Sequence, residues 1–372
     1  MTDTTNPSPA EKLEALLQRY QVSPTQGFVP ETAPPDQLPP AFQAWEALAQ
    51  RLPQLASANL RPAIEQLPPW PEAPLPSPAV QERAFLLLCL LGQAYLHADA
   101  ATPTVLPARL ARPWQLLADQ LGRLPVVNHA SLVLQNWGQP DPGLPFTPEN
   151  LAPRFTFTGA DDESWFYLVT LMVEYRGAAA VYHAAGAVLT AQTRQYDTAL
   201  QHLKALPAAL TRTQAELQRM YERCDPHFFY HRLRPWIGGV NGVRYAGCMP
   251  AEPRSYAGGS AAQSALLQSL DAALGVSHQT QFLQAMRAYM PPQQRAFIAT
   301  LTSLAEEVEW TASPLQAAHR AAAEALQDLR QAHLNLVAHY IIQPAKQSGA
   351  STQGTGGTDA LRFLKQLRDE TA

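Results

Sequence analysis

Three groups of residues have the types and spacing to do chemistry. The first is His333. It sits in an apolar stripe of Leu315, Ala318, Ala322, Leu326, Leu329, Leu336, Val337 and Tyr340. That spacing is helical, so the imidazole faces the interior. A buried imidazole is either a hydrogen-bonded core residue or a ligand to a metal or haem. His339 lies roughly 120° around the same helix, and His319 about four turns away. One inward imidazole suits an axial haem ligand better than a multi-histidine metal cage. The second group is Cys224-Asp225-Pro226-His227-Phe228-Phe229-Tyr230-His231-Arg232-Leu233-Arg234-Pro235-Trp236. Tyr230 and Arg234 are one turn apart, and an arginine among aromatics can clamp a carboxylate. The alternative is a surface helix with cation–π decoration. The third group is Ala257-Gly258-Gly259-Ser260-Ala261-Ala262-Gln263, in which Ser260 and Gln263 form a capping box. Two glycines before a helix N-terminus let a ligand meet backbone N–H groups; the alternative is an ordinary capped helix. No Lys-Ser/Thr follows, which argues against a nucleotide P-loop.

Weaker signals surround these. Phe166 and Thr170 share a helix face and line a pocket, or else the hydroxyl bonds its own helix backbone. If the stretch from Leu124 to Trp137 is helical, His129 and Val133 share a face; a satisfied core or surface histidine is the alternative. Asp271 lies inside the helix that Ser260 starts. A carboxylate there either orients a metal-bound imidazole from behind or is a solvated surface group.

Long helices must position these residues. The chain has 372 residues, 46% of them hydrophobic, enough for a large core, and its length suggests two domains. A net charge of -4 without a Lys/Arg stripe argues against nucleic acid. Cys89, Cys224 and Cys248 have no CxxC spacing and read as free thiols in a reducing, cytoplasmic setting. The stretch Met1 to Ala10 is polar and lacks a signal-peptide core. The apolar run from Ala84 to Leu91 is too short to span a membrane. Most of the 34 prolines fall before about Pro153, where helices are short, and leave long helices beyond. Helices are expected over Pro9 to Tyr20, Ala41 to Leu52, Ala79 to His97, Leu106 to Leu121 and Asp161 to Ala191, the last capped by Asp161 or Asp162. Others run from Tyr196 to Arg223 with a break near Pro207, from Ser260 to Leu274, Gln279 to Tyr289, Pro292 to Ala305, and Ser313 (a capping hydroxyl before Pro314) to Tyr340. The polar stretch from Gln347 to Gly357 is a mobile loop, either a linker or a lid over the pocket. Thr358 or Asp359 then caps a last helix. No stretch shows the alternation of a strand, so the fold class is all-α.

These stretches together resemble the indoleamine 2,3-dioxygenase family. The resemblance rests on Phe229 through Arg234, Ala257 through Ala261 with Gln263-Ser264, and Gln281-Phe282-Leu283 through Arg287-Tyr289-Met290-Pro291-Pro292. His333-Leu334, Tyr340-Ile341 and Gly354 through Asp359 complete the set in the same order. It is strong from about Trp165 to Leu367 and weak before Leu124. It implies an all-helical fold: a smaller N-terminal domain over residues 1–122 and a larger one over 123–372 holding b-type haem (heme b, with its iron). His333 matches the proximal ligand, and Asp271 and Arg330 the polar pair behind it. Arg234 matches the arginine that binds the substrate carboxylate. Phe229 and Phe166 match aromatics on the indole, and Tyr230 falls where a second phenylalanine is usual. Gly259, Ser260 and Ala261 match the segment along the haem edge and substrate ammonium, and Thr355 the loop threonine over the substrate. Thr170 stands where the best-known members have serine near the dioxygen. His129 and Leu132, with Val133 beside them, stand where an indole-pocket tyrosine and cysteine are usual.

The resemblance implies insertion of both atoms of molecular oxygen across the indole C2–C3 bond of L-tryptophan. The product is N-formylkynurenine, at the start of the kynurenine pathway of tryptophan catabolism. An electron donor keeping iron ferrous and a monomeric state are also implied. Two alternatives stay open: oxidation of a substituted indole in secondary metabolism, and a non-catalytic, myoglobin-like oxygen binder.

Overall fold

The capping chemistry written into the chain sets where its helices begin. In the computed structural model, residues 7–55, 57–99, 103–311, 314–357 and 359–371 are described. Ser8 closes a capping box with Glu11 and opens α1 (Pro9–Arg19). Proline-rich connectors separate it from α2 (Gln43–Arg51), α3 (Ser57–Glu65) and α4 (Pro78–His97). Sequence reasoning missed α3, which carries Pro62 inside its nine residues. α4 is buried without interruption from Arg83 to Leu96. Arg83 survives there because Glu46 receives two of its N–H groups, at 2.7 and 2.8 Å.

A small sheet corrects the expectation of no strands. β1 (Val105–Leu106) precedes α5 (Ala108–Gln120). The long α6 (Asp161–Gln192) and α7 (Tyr196–Gln218), then the short α8 (Met220–Arg223) and α9 (Pro226–Phe228), follow. β2 (Val240–Tyr245) pairs parallel to β1 and antiparallel to β3 (Arg254–Tyr256). Strands of two, six and three residues are too short to print an alternation. The molecule is otherwise helical, and the all-α class stands.

Helix boundaries around α6 and α7 differ from expectation. Pro207 does not break α7, because a single missing N–H is tolerated in a helix held by a buried Leu203–Leu206–Leu210 face; the chain turns at Arg219 instead. Neither Asp161 nor Asp162 caps α6: Asp162 accepts from the Asp225 amide at 2.7 Å, while Glu163 accepts from the amides of Phe157 and Thr158, both at 2.7 Å. The small residues of α6 let neighbours close in. A Cβ on Gly177 would stand 2.5 Å from Leu266 of α10 (Ala265–Ala273).

The remaining elements are α11 (Phe282–Met286), α12 (Pro292–Glu306), α13 (Gln316–Val337), α14 (Gln343–Ser348) and α15 (Ala360–Asp369). α13 carries the His333 stripe and continues through a π-helical turn, Ala338–Ile342. It starts later than expected: Pro314 and Leu315 form a turn, and the capping Ser313 lies outside the described residues. Thr358 lies outside them too, and Asp359 caps α15 by accepting from the Arg362 amide.

Candidate active site

Packing α6, α10, α13 and α15 leaves a cavity of about 270 Å³ between them. Of the residues singled out in the sequence, His129, Leu132, Val133, Phe166, Thr170, Phe229, Gly259, Ser260, Ala261, Asp271, Arg330, His333 and Thr355 line it. Tyr230 and Arg234 do not. Leu132 and Val133 reach it from a five-residue π-helical turn, Ala130–Leu134, rather than from a long helix.

The imidazole of His333 faces this cavity and, among the described residues, makes no hydrogen bond. Burial, reinforced by the Arg330 guanidinium, lowers its pKa to about 4. The ring is therefore neutral near pH 7 and keeps a free nitrogen lone pair. Asp271 lies 5% exposed beside it, which rules out the solvated-surface reading. It does not bond His333. Arg330 donates Nη2 to both its oxygens at 2.6 Å, and His278 Nε2 lies 3.1 Å from Oδ2. Burial alone raises the Asp271 pKa, but Arg330 and His278 outweigh it and hold the carboxylate below its ordinary value. The Arg330 guanidinium also donates to the Thr371 hydroxyl, and His278 Nδ1 lies 2.9 Å from Glu370. The far end of α15 is thus tied to the floor of the cavity. Sequence reasoning missed His278, Glu370 and Thr371. Each reads in the sequence only as a polar residue, which ordinarily means solvent.

On the opposite wall, the Phe166 and Phe229 rings are 4.9 Å apart, and Phe229 meets Tyr340 edge-on at 5.7 Å. Thr170 Oγ1 donates to the Phe166 carbonyl at 2.7 Å, so its hydrogen is committed to its own helix. Ser260 keeps the capping box with Gln263, but it opens only a 3₁₀ turn, Ala261–Gln263. Ser264 then caps α10 separately, correcting the single helix expected from Ser260.

Arg234 lies in an adjoining outer pocket with Gly238, Tyr256 and Ser351, and Gly354, Thr355 and Gly356 line both spaces. Its guanidinium sits 5.0 Å from the Tyr230 ring centre and donates to the Gln353 carbonyl. Its Nε is buried without a partner, and burial lowers its pKa, against the influence of Tyr230. No carboxylate pairs with it among the described residues. Tyr230 instead donates its hydroxyl to the Ser351 carbonyl at 2.5 Å, holding the loop from outside the cavity. Thr355 completes that docking: its Oγ1 donates to the Gly259 carbonyl at 2.6 Å, and its carbonyl accepts from the Gly258 amide at 3.0 Å.

His129 is a buried, hydrogen-bonded histidine, as the satisfied-core alternative expects, and it also lines the cavity. Its Nε2 lies 2.8 Å from Glu174 Oε1, and its amide donates to Gln263 at 3.0 Å. Ser264 Oγ donates to the same Glu174 oxygen at 2.5 Å. Glu174 was visible in the sequence only as a turn beyond Thr170 on the same face.

The family model for indoleamine 2,3-dioxygenase matches residues 16–372. The chain is 34% identical to indoleamine 2,3-dioxygenase 1 of Rattus norvegicus, over 98% of this chain and 97% of that one. It is 32% identical to indoleamine 2,3-dioxygenase 2 of Homo sapiens, over 95% of this chain and 94% of that one. It is also 32% identical to indoleamine 2,3-dioxygenase qulI of Penicillium citrinum, over 95% and 88%.

Proposed function

The chain belongs to the indoleamine 2,3-dioxygenase family of haem-dependent oxidoreductases acting on indoles, and we propose that its substrate is L-tryptophan and its product N-formylkynurenine. The observation that carries the substrate reading is Arg234. It is a part-buried guanidinium in the outer pocket that adjoins the cavity, with one N–H on a carbonyl, one buried N–H unsatisfied and no carboxylate partner among the described residues. Leaving such a group unsatisfied is costly, and a free carboxylate on the ligand satisfies it.

The residues present fit haem. A neutral imidazole without a partner, on a rigid helix, faces a largely apolar cavity lined by Phe166, Leu266, Leu329 and Leu336. His333 is the residue that would hold its iron, with Asp271 and Arg330 fixing the cavity floor. Haem, when bound, supplies the activation of dioxygen.

The chain's own residues then position and enclose. Arg234 takes the carboxylate, and the Gly259–Ala261 backbone lies along the ammonium side. Phe166 and Phe229 hold the indole, with Leu132 and Val133 as walls. Thr170 offers a methyl and a hydroxyl oxygen whose proton is already spent on the helix. Thr355, docked on Gly259, closes the loop and keeps water out. The Arg234→Ala variant tests this reading. A charge-assisted contact contributes about 1.5–3 kcal/mol, so KM for L-tryptophan should rise on the order of tenfold or more. Tryptamine, which has no carboxylate, should lose nothing. An unchanged KM for L-tryptophan contradicts the clamp.

A further inference from the structure

The inner cavity has one polar feature that binding of tryptophan leaves unexplained. His129 and Glu174 are 6% and 3% exposed, and both line the inner cavity but not the outer pocket. Glu174 Oε1 accepts from Ser264 Oγ, and its contact with His129 Nε2 at 2.8 Å places the ring proton on that nitrogen. In the neutral ring His129 Nδ1 is then an acceptor, and among the described residues it has no hydrogen-bond partner. Glu174 Oε2 is also buried without a partner. The cluster is rich in acceptors and short of a donor. A ligand that brings one gains, and a ligand that presents a methyl leaves the deficit in place.

We propose that His129 and Glu174 form a polar subsite that selects indoles bearing a hydroxyl on the benzo ring. This rests on the proposed function, because it takes the substrate carboxylate to be at Arg234. With the carboxylate in the outer pocket, the benzo ring is the part of the substrate that reaches deepest, and His129 and Glu174, held by Ser264, stand there among mainly apolar walls. The ring hydroxyl donates to His129 Nδ1, Glu174 fixes the tautomer through Nε2, and Ser264 holds Glu174 in place. Glu174 and Ser264 are positioning residues, and His129 is the contact. An apolar wall alone discriminates poorly against an added hydroxyl, whereas a site that hydrogen-bonds one rejects the analogue lacking it.

The test uses the haem-loaded protein and the four benzo-ring hydroxytryptophans, each against the methyltryptophan substituted at the same carbon. Dissociation constants come from calorimetry and kcat/KM from product formation, for the wild type, His129→Phe and His129→Gln. One hydroxyl isomer should bind on the order of tenfold more tightly than its methyl counterpart. That ratio should collapse toward one in His129→Phe and recover in part in His129→Gln, which keeps an acceptor. A merely structural role for His129 would weaken both members of a pair alike and leave the ratio unchanged. A ratio near one for all four pairs in the wild type, or one that survives in His129→Phe, overturns the proposal. So does a His129-dependent loss confined to the indole N-methyl derivative, because the donor would then be the pyrrole N–H. Turnover of unsubstituted L-tryptophan, followed in parallel, reads the proposed function independently. If the hydroxyl preference stands while tryptophan is not turned over, the substrate reading fails and the subsite remains.

Discussion

Asp271 and Arg330 show at the scale of single residues what the cavity floor costs. Both are buried, and each satisfies the other through two contacts at 2.6 Å. Removing one partner leaves an uncompensated buried charge, which destabilises a fold by about 3–5 kcal/mol. Asp271→Ala should lower the urea midpoint accordingly, while the double change Asp271→Ala with Arg330→Met should recover much of the loss. If the single variant unfolds at the wild-type urea concentration, the pair is not structural. The residue types of this site were legible where periodicity exposed them: His333, Phe166 and Thr170 fall where a regular helix puts them. Tyr230 was not, because Phe229–Leu233 is a π-helical turn whose wider winding, closed by the Arg234 amide on the Phe229 carbonyl at 2.8 Å, changes which side chains face inward. His278 and Thr371 were invisible for a different reason. Their roles depend on contacts across 92 and 41 residues of chain, His278 with Glu370 and Thr371 with Arg330, and no local pattern encodes those.

At the scale of elements, α15 is the piece that closes the cavity, and His278 is its tether. Burial lowers the His278 pKa, but the hydrogen bond and charge of Asp271, with help from Glu370, outweigh burial and the opposing Arg330, so the net shift is upward. A histidine whose folded pKa is raised stabilises fully below its unfolded value and loses that contribution as pH rises through the folded one. The gap in Tm between wild type and His278→Gln should therefore be widest near about pH 6 and shrink toward about pH 9. The facing groups are Asp271, Arg330 and Glu370, and only protonation of His278 lets it serve both carboxylates at once. A gap constant across that range would show that the tether acts by packing alone. Element types were readable from the sequence because helical stripes and caps repeat over many residues. Their ends were not readable where tertiary contacts decide, as at Pro207 and Ser264.

At the scale of the whole molecule, the proline-punctuated first part packs directly on the helices of the second. Tyr20 donates to or accepts from Thr300 at 2.7 Å, and Tyr20 and Phe28 both pack on Phe297 of α12. A continuous apolar cluster runs from Leu13 to Tyr340 and holds the cavity walls rigid. Among the described residues, no helix is long and apolar enough to cross a membrane. On the proposed reading, the arrangement serves one act: to hold an indole, carboxylate toward Arg234, against a haem held by His333 and to shut the loop over it. That act is tested most directly by supplying the reduced, haem-loaded protein with L-tryptophan under ¹⁸O-labelled dioxygen and weighing the product. The account predicts N-formylkynurenine carrying both labelled oxygen atoms, with formation abolished in His333→Ala. Unconsumed tryptophan, or a product carrying one label or none, would contradict it.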